Sequence, residues 1–271
     1  MIKLFVSDLD GTLLNHDKKV EQKEIDALQQ LKESGVEICL ASGRMDNEIL
    51  KVSEALESDV HRVSQNGAFV LTHDDQSLHE KTFDHELASK LYSLTKMPDK
   101  ITLVCSDNTN FVEEMSDVVK EIEKVMFFPI EENPAMLEDL STSLNPSKIT
   151  VLGDHEQVVE LQKKLNEMFG DDIDTYISAK SCLDIMPKHI SKGNAIAVLL
   201  DHLDLKPDEI ACVGDNFNDI PMFRLTPNSF AMSEAYDEVK QEANYVVDSV
   251  SEAAEIVLRQ NREESKMNTN A

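Results

Sequence analysis

The chain has 271 residues, with 52 Asp and Glu against 26 Lys and Arg, a formal net charge of −26. That charge excludes nucleic acid, which needs a cationic footprint, as the main partner, and it excludes an anionic membrane surface. An apolar fraction of 41% indicates a globular chain, long enough for one large domain or two smaller ones, and no apolar run approaches the ~18–20 residues of a membrane span. The start breaks too early into Ser7 and Asp8 for a signal peptide. Four scattered cysteines (Cys39, Cys105, Cys182 and Cys212), mostly inside apolar runs, read as small buried hydrophobes of a reducing, cytoplasmic compartment.

Residues 2–6 form an apolar strand halted by the polar loop Ser7-Asp8-Leu9-Asp10-Gly11. Ile25, Leu28 and Leu31 recur at helical spacing, and Gly35 supplies a stop. Residues 36–41 predict a second strand closed by Ser42-Gly43-Arg44. A helix to about residue 56, a strand over 60–63 and the Asn66-Gly67 turn follow. This alternation is the grammar of a parallel sheet with right-handed crossovers.

From about residue 81 the texture changes. Strands are predicted over 101–105, 148–152, 175–177 and 182–186, and helices over 84–96, 115–124, 134–144 and 155–169. Residues 81–187 read as a separate α+β unit, whose methionines Met126, Met136 and Met186 are core filler. Alternation then resumes: a helix over 195–203, a strand over 210–213 ending in Gly214-Asp215, a helix over 218–225, strands over 230–232 and 245–247, and a last helix ending near residue 259. The polar tail 261–271 is expected to fray. The first and last thirds thus describe one discontinuous core, residues 1–80 and 188–271, around an inserted domain.

Ligands of an open parallel sheet bind beyond the carboxyl ends of its strands. The loops holding Asp8 and Asp10, Ser42 and Gly43, and Asp215 through Asp219 should therefore converge, bringing Asp8, Asp10, Asp215 and Asp219 together. Like charges ~4 Å apart repel by about 4 kcal/mol at an effective dielectric of ~20, so such a cluster stays ionised only around a cation. Oxygen ligands alone favour Mg²⁺, which takes a substrate phosphate as a further ligand and so points to phosphoryl chemistry.

Val6-Ser7-Asp8-Leu9-Asp10-Gly11-Thr12-Leu13-Leu14, Ala41-Ser42-Gly43-Arg44, Ser191-Lys192-Gly193 and Gly214-Asp215-Asn216-Phe217-Asn218-Asp219 resemble the four motifs of the haloacid dehalogenase superfamily. Ser64-Gln65-Asn66-Gly67-Ala68 is similar to the Cof-type branch, whose large cap (subfamily IIB, type C2) is inserted between the second and third motifs. The resemblance implies a Rossmann-like three-layer α/β/α core with a parallel sheet, and a mobile α+β cap that excludes water and selects the leaving group. It implies Asp8 as nucleophile, attacking phosphorus to give an aspartyl-phosphate, and Asp10 as the group that protonates the leaving alcohol and then deprotonates water. Leu9, Ser42, Gly43, Lys192 and Asn218 would bind phosphate. Asp8, the Asp10 carbonyl and Asp215 would bind Mg²⁺, while Thr12 would pin its loop and Asp219 would act through Lys192 or a metal-bound water. Arg44 is a candidate either for the substrate or for a nearby carboxylate. His189 stands where the branch usually has glycine, and Met232-Ser233-Glu234-Ala235 lacks its usual Gly-Asn.

These residues predict Mg²⁺-dependent hydrolysis of small phosphorylated metabolites. Two alternatives remain: a phosphosugar mutase of the same architecture, and a non-enzymatic phosphate- or metal-dependent binding protein. Sugar phosphates, pyridoxal phosphate and flavin mononucleotide all fit, because selection falls to the cap. The sequence carries no signal of oligomeric state.

Overall fold

Residues 1–124, 129–179 and 181–269 are described by a computed structural model; Met126 lies outside them. The opening apolar run is β1 (Leu4–Ser7), buried along its whole length. Helix α1 (Gln22–Glu33) buries Ala27, Leu28 and Leu31, and ends where Gly35 takes a φ of +85°. Then come β2 (Glu37–Ala41), α2 (Asp46–Ala55), β3 (His61–Ser64), β4 (Phe69–Leu71) and β5 (Ser77–Glu80). A second compact unit, Lys81–Ile190, follows. It holds α3 (His85–Thr95), β6 (Ile101–Cys105), β7 (Asn110–Val112), α4 (Asp117–Glu123), β8 (Ile130–Glu132), α5 (Met136–Thr142), β9 (Lys148–Leu152), α6 (His155–Phe169), β10 (Ile173–Ala179) and β11 (Cys182–Pro187).

The chain then rejoins the first unit through α7 (Lys192–Leu203), β12 (Ile210–Gly214), α8 (Ile220–Phe223), β13 (Ser229–Met232), α9 (Asp237–Lys240), β14 (Tyr245–Val247) and α10 (Val250–Thr269). One eight-stranded sheet organises this unit, in the order β14-β13-β12-β1-β2-β3-β4-β5. From β14 to β3 every pair is parallel. The predicted parallel sheet gains an antiparallel edge, because β3 turns through Gln65–Gly67 into β4, and β4 into β5.

Side chains of β1 alternate across the sheet, as the period of a strand requires. Phe5 joins Leu28, Leu31, Ile49 and Val257 on the face covered by α1, α2 and α10. Leu4 and Val6 join Ile196, Leu199, Met222 and Val239 on the face covered by α7, α8 and α9. The unit is therefore a three-layer α/β/α structure, held by apolar contact on both faces. Cys39, Cys105 and Cys212 are buried, and all four cysteines are free thiols.

The second unit packs α3, α5 and α6 on the sheet β10-β11-β9-β6-β7-β8, with Met136 and Met186 fully buried. Strands β7 and β8 were not legible as strands: each has three residues, too few to show a period, and β8 is mostly charged. Lys188 and His189 are tied to this unit by amides donated to Asp172 O (2.9 Å) and Asp174 Oδ2 (2.8 Å). His189 is exposed with a φ of +65°, a left-handed conformation that accounts for glycine being usual there.

Two further expectations are corrected. The helix predicted over residues 218–225 is a 3₁₀ turn, Phe217–Asp219, followed by the single turn of α8, with Pro221 at its start. The tail does not fray at residue 261: α10 continues to Thr269, tied down by buried Asn261, which accepts the Ile2 amide at 2.7 Å and donates to the Ile2 carbonyl at 2.8 Å. No helix among the described residues is long and apolar enough to cross a membrane.

Candidate active site

Because β2, β1 and β12 are neighbours, the loops at their carboxyl ends meet although they are remote in sequence. Asp8 follows β1 directly; its amide donates to Val213 O at 3.0 Å and its side chain is buried. Lys192 opens α7, whose N-terminus is capped by Ser191 Oγ accepting the Asn194 amide at 3.1 Å. The Lys192 ammonium, wholly buried, donates to Asp8 Oδ1 and Asp219 Oδ1, each at 2.6 Å. A charge so placed is tolerable only because both carboxylates compensate its lost hydration.

Asp219 Oδ2 accepts the amides of Asp215 and Asn216 at 2.9 and 3.0 Å. With one oxygen on Lys192 and the other on its own loop, Asp219 orients the ammonium and the β12 loop together. Thr12 Oγ1 donates to Asp215 Oδ1 at 3.1 Å, joining the β1 and β12 loops. Gly11 makes this approach feasible: its φ is +86°, and a Cβ there would lie 2.4 Å from Asp215 Oδ2.

One carboxylate oxygen from each of Asp8, Asp215 and Asp219 lies within 4.8 Å of the others. Burial, reinforced by Asp219 and Asp215, pushes Asp8 up to about 8 against the pull of Lys192. Burial and Asp219 likewise raise Asp215. For Lys192, burial acts to lower the pKa, but Asp219 and Asp8 outweigh it and raise it. The group is thus short of positive charge and offers oxygen donors alone, a set that fits a hard divalent cation better than zinc or copper.

The Asp10 carboxylate does not join this group, contrary to the convergence read from the sequence. It is taken by two cations instead. Arg44 donates from Nε to Oδ2 (2.6 Å) and from Nη2 to Oδ1 (2.7 Å), and Lys18 donates from Nζ to Oδ1 (2.8 Å). Burial opposes ionisation here, but the hydrogen bonds and charges of Arg44 and Lys18 hold Asp10 down at about 2.

Ser42 is buried; its Oγ accepts the Arg44 amide at 3.2 Å, and its carbonyl accepts the Asn66 amide at 2.9 Å. A Cβ on Gly43 would sit 3.1 Å from Asn66 Oδ1, and that oxygen accepts from Asn218 Nδ2 at 3.0 Å. Asn66 therefore links the β2, β3 and β12 loops, and Asn218 Oδ1 is buried without a hydrogen-bond partner. The Leu9 side chain is fully buried in the core, so it cannot reach a ligand. Lys18 and the bridging role of Asn66 were not foreseen. The Asn-Gly pair at least marks a left-handed position, observed at φ +59° for Asn66, whereas nothing in the sequence marks Lys18.

The model of the haloacid dehalogenase-like hydrolases matches residues 5–256. An "HMP-PP phosphatase" of Enterobacter sp. is 27% identical over 249 residues, covering 91% of this chain and 89% of its own. Another protein of that name, from Escherichia fergusonii, is 28% identical over 244 residues, covering 89% and 88%. Among solved structures, a haloacid dehalogenase-like hydrolase from Bacteroides thetaiotaomicron superposes with a TM-score of 0.86 at 26% identity, over 95% of this chain and 100% of its own. A Thermotoga maritima protein gives 0.86 at 27% identity, over 94% and 97%. By the extent of the family match, the chain belongs to the haloacid dehalogenase-like hydrolases.

Proposed function

We propose that this chain is a Mg²⁺-dependent phosphatase of small phosphorylated metabolites, working through a phosphorylated Asp8. The observation that carries the reading is the buried Asp8 carboxylate, fixed at 2.6 Å by Lys192 and grouped with Asp215. Asp8, Asp215 and the Asp10 main chain would hold the cation, which when bound supplies Lewis-acid stabilisation of charge on the phosphoryl oxygens. Asp8 is the nucleophile: one carboxylate oxygen attacks phosphorus while Lys192 donates to Oδ1. Lys192 also neutralises the phosphoryl group, and Asp219 keeps the ammonium aimed at it. Ser42, the main chains of Leu9 and Gly43, and Asn218 position the phosphate oxygens, with Asn66 fixing Asn218. Ionised Asp10 takes the proton of the water that cleaves the aspartyl-phosphate. Positioning and neutralisation of charge provide most of the rate in such transfers.

Residues 81–187, which fall within the compact unit Lys81–Ile190, are read as the cap that selects the leaving group, and the chain as a cytoplasmic protein. The relatives' name makes HMP-PP the first compound to assay, within a panel of sugar phosphates and other small phosphoesters. The test is phosphate release with and without Mg²⁺ in wild type and Asp8→Asn. Asp8→Asn should lose activity by roughly 10³-fold or more with its fold intact, and chelation should abolish wild-type turnover. Substantial turnover by the variant would remove Asp8 from its role.

A further inference from the structure

The eight-stranded sheet carries a second cluster of metal-ligating side chains at the end away from Asp8. Glu37 is the first residue of β2 and His61 the first of β3, whereas the loops of the candidate active site follow the last residues of their strands. Strand β4 runs antiparallel to β3 and pairs Leu71 with Arg62, which brings His73 back beside His61. One ligand atom from each of Glu37, His61 and His73 lies within 4.8 Å of the others. His61 is buried, with Nε2 2.6 Å from Glu37 Oε2 and Nδ1 accepting the His73 amide at 3.2 Å. The His73 ring stands edge-on to it, centroids 5.1 Å apart, and among the described residues neither of its ring nitrogens has a hydrogen-bond partner. The three side chains line a cleft of about 340 Å³ together with Asp59 and Lys32. Lys32 is engaged elsewhere, its Nζ donating to Ser58 Oγ at 2.6 Å.

We propose that Glu37, His61 and His73 bind a transition-metal dication of the Zn²⁺ class, separate from the cation of the reaction. Two imidazoles and one carboxylate are a recurrent zinc donor set, and the fourth tetrahedral position opens onto the cleft, where water can fill it. Nitrogen donors favour zinc over magnesium, while the all-oxygen set around Asp8 and Asp215 does the reverse. As the His61 ring stands, Nδ1 is an acceptor and Nε2 holds the proton shared with Glu37. A cation ~2.0–2.2 Å from both Nε2 and the carboxylate takes the place of that proton and spreads the two atoms from their 2.6 Å contact. The proton moves to Nδ1, which then no longer accepts the His73 amide. That amide belongs to the turn 72–76, which also carries the His73 ring, so its release and the ring's arrival at the cation are one movement. The bound cation ties the starts of β2 and β3 to this turn. It lies about a strand's length from Asp8, and no step of the reaction proposed there depends on it.

The experiment titrates the whole chain, in excess Mg²⁺, with Zn²⁺ by calorimetry and with Co²⁺ by visible absorption. Wild type and Asp215→Asn should each bind one Zn²⁺ with the same affinity, and Co²⁺ should show the intense visible bands of a tetrahedral site. Glu37→Gln and His73→Ala, both at exposed positions, should weaken Zn²⁺ about 100-fold or more, since even partners outside the ligand shell are worth 10- to 100-fold. Zn²⁺ should also raise the urea midpoint of wild type, and of neither of these two variants. Failure of wild type to bind Zn²⁺ would overturn the inference. So would binding that both variants leave unchanged, as adsorption on the acidic surface would give, or binding lost only in Asp215→Asn. None of these readouts uses turnover, so the inference stands or falls apart from the role of Asp8.

Discussion

Gly11 and Gly35 have nearly the same backbone angle, φ +86° and +85°, yet a Cβ on Gly11 would meet Asp215 Oδ2 at 2.4 Å while one on Gly35 would meet nothing within 4 Å. Alanine at either position therefore pays the left-handed strain of about 1–2 kcal/mol, but only at Gly11 is Asp215 displaced as well. Gly11→Ala should lower kcat/KM by roughly 10²-fold, since misplacing a catalytic group by about 1 Å has that effect. Gly35→Ala should lose stability alone. Parallel measurements of urea midpoint and phosphate release decide this, and equal activity in the two variants would refute the close approach. At this scale the meeting of Asp8, Asp215 and Asp219 was legible because their loops follow the apolar strands β1 and β12. The partners of the Asp10 carboxylate were not, because spacing does not say which way a side chain turns: Arg44 is 34 residues away and Lys18 sits on an irregular loop.

Among the elements, α10 carries the largest departure from the sequence reading. Its last turns are polar on most sides, so hydropathy cannot distinguish them from a fraying tail. The extension is tied down by the buried Asn261, hydrogen-bonded to both main-chain polar groups of Ile2, and by contacts of Glu264 and Ser265 with Met1. Removing that amide leaves a buried donor and a buried acceptor unsatisfied, each costing ~1–3 kcal/mol. Asn261→Ala should accordingly destabilise the chain by about 2 kcal/mol or more, lowering the urea midpoint with an unchanged slope. A change within about 0.5 kcal/mol, the range of ordinary surface substitutions, would mean that the Ile2 contact is not sustained in solution. The ends of α1, α3 and α6 were readable in contrast. Gly35 marks one stop, while Asp84 and Asp154 cap their helices by accepting the Leu87 and Glu156 amides at 2.8 and 3.0 Å.

For the molecule as a whole, the three-layer class was legible because β1, β2 and β12 are covered on both faces and must be apolar along almost their full length. The antiparallel edge was less so, since β4 and β5 are short and β5 is polar. Charge gives the whole chain a second property: at −26 it repels itself, and acidification toward a pI of about 4.5 relieves that repulsion and favours the compact state. His61 acts in the opposite direction. Its ring is 1% exposed, Nδ1 accepts the His73 amide at 3.2 Å, and Nε2 therefore carries the proton donated to Glu37 at 2.6 Å. Burial lowers its pKa below 6.5, outweighing the pull of Glu37. The unfolded chain thus takes up a proton as pH falls through about 6.5 while the folded chain does not, and folding loses stability from that pH down toward the lowered value. The loss reaches at most about 1.4 kcal/mol per pH unit for this one group. His61→Gln, which has no such titration, should gain on wild type as pH falls from 7.5 to 5.5, whatever the shared relief of surface repulsion does to both. Urea unfolding of the two proteins at several pH values measures the difference directly, and a difference constant with pH would mean that His61 is not held neutral by burial.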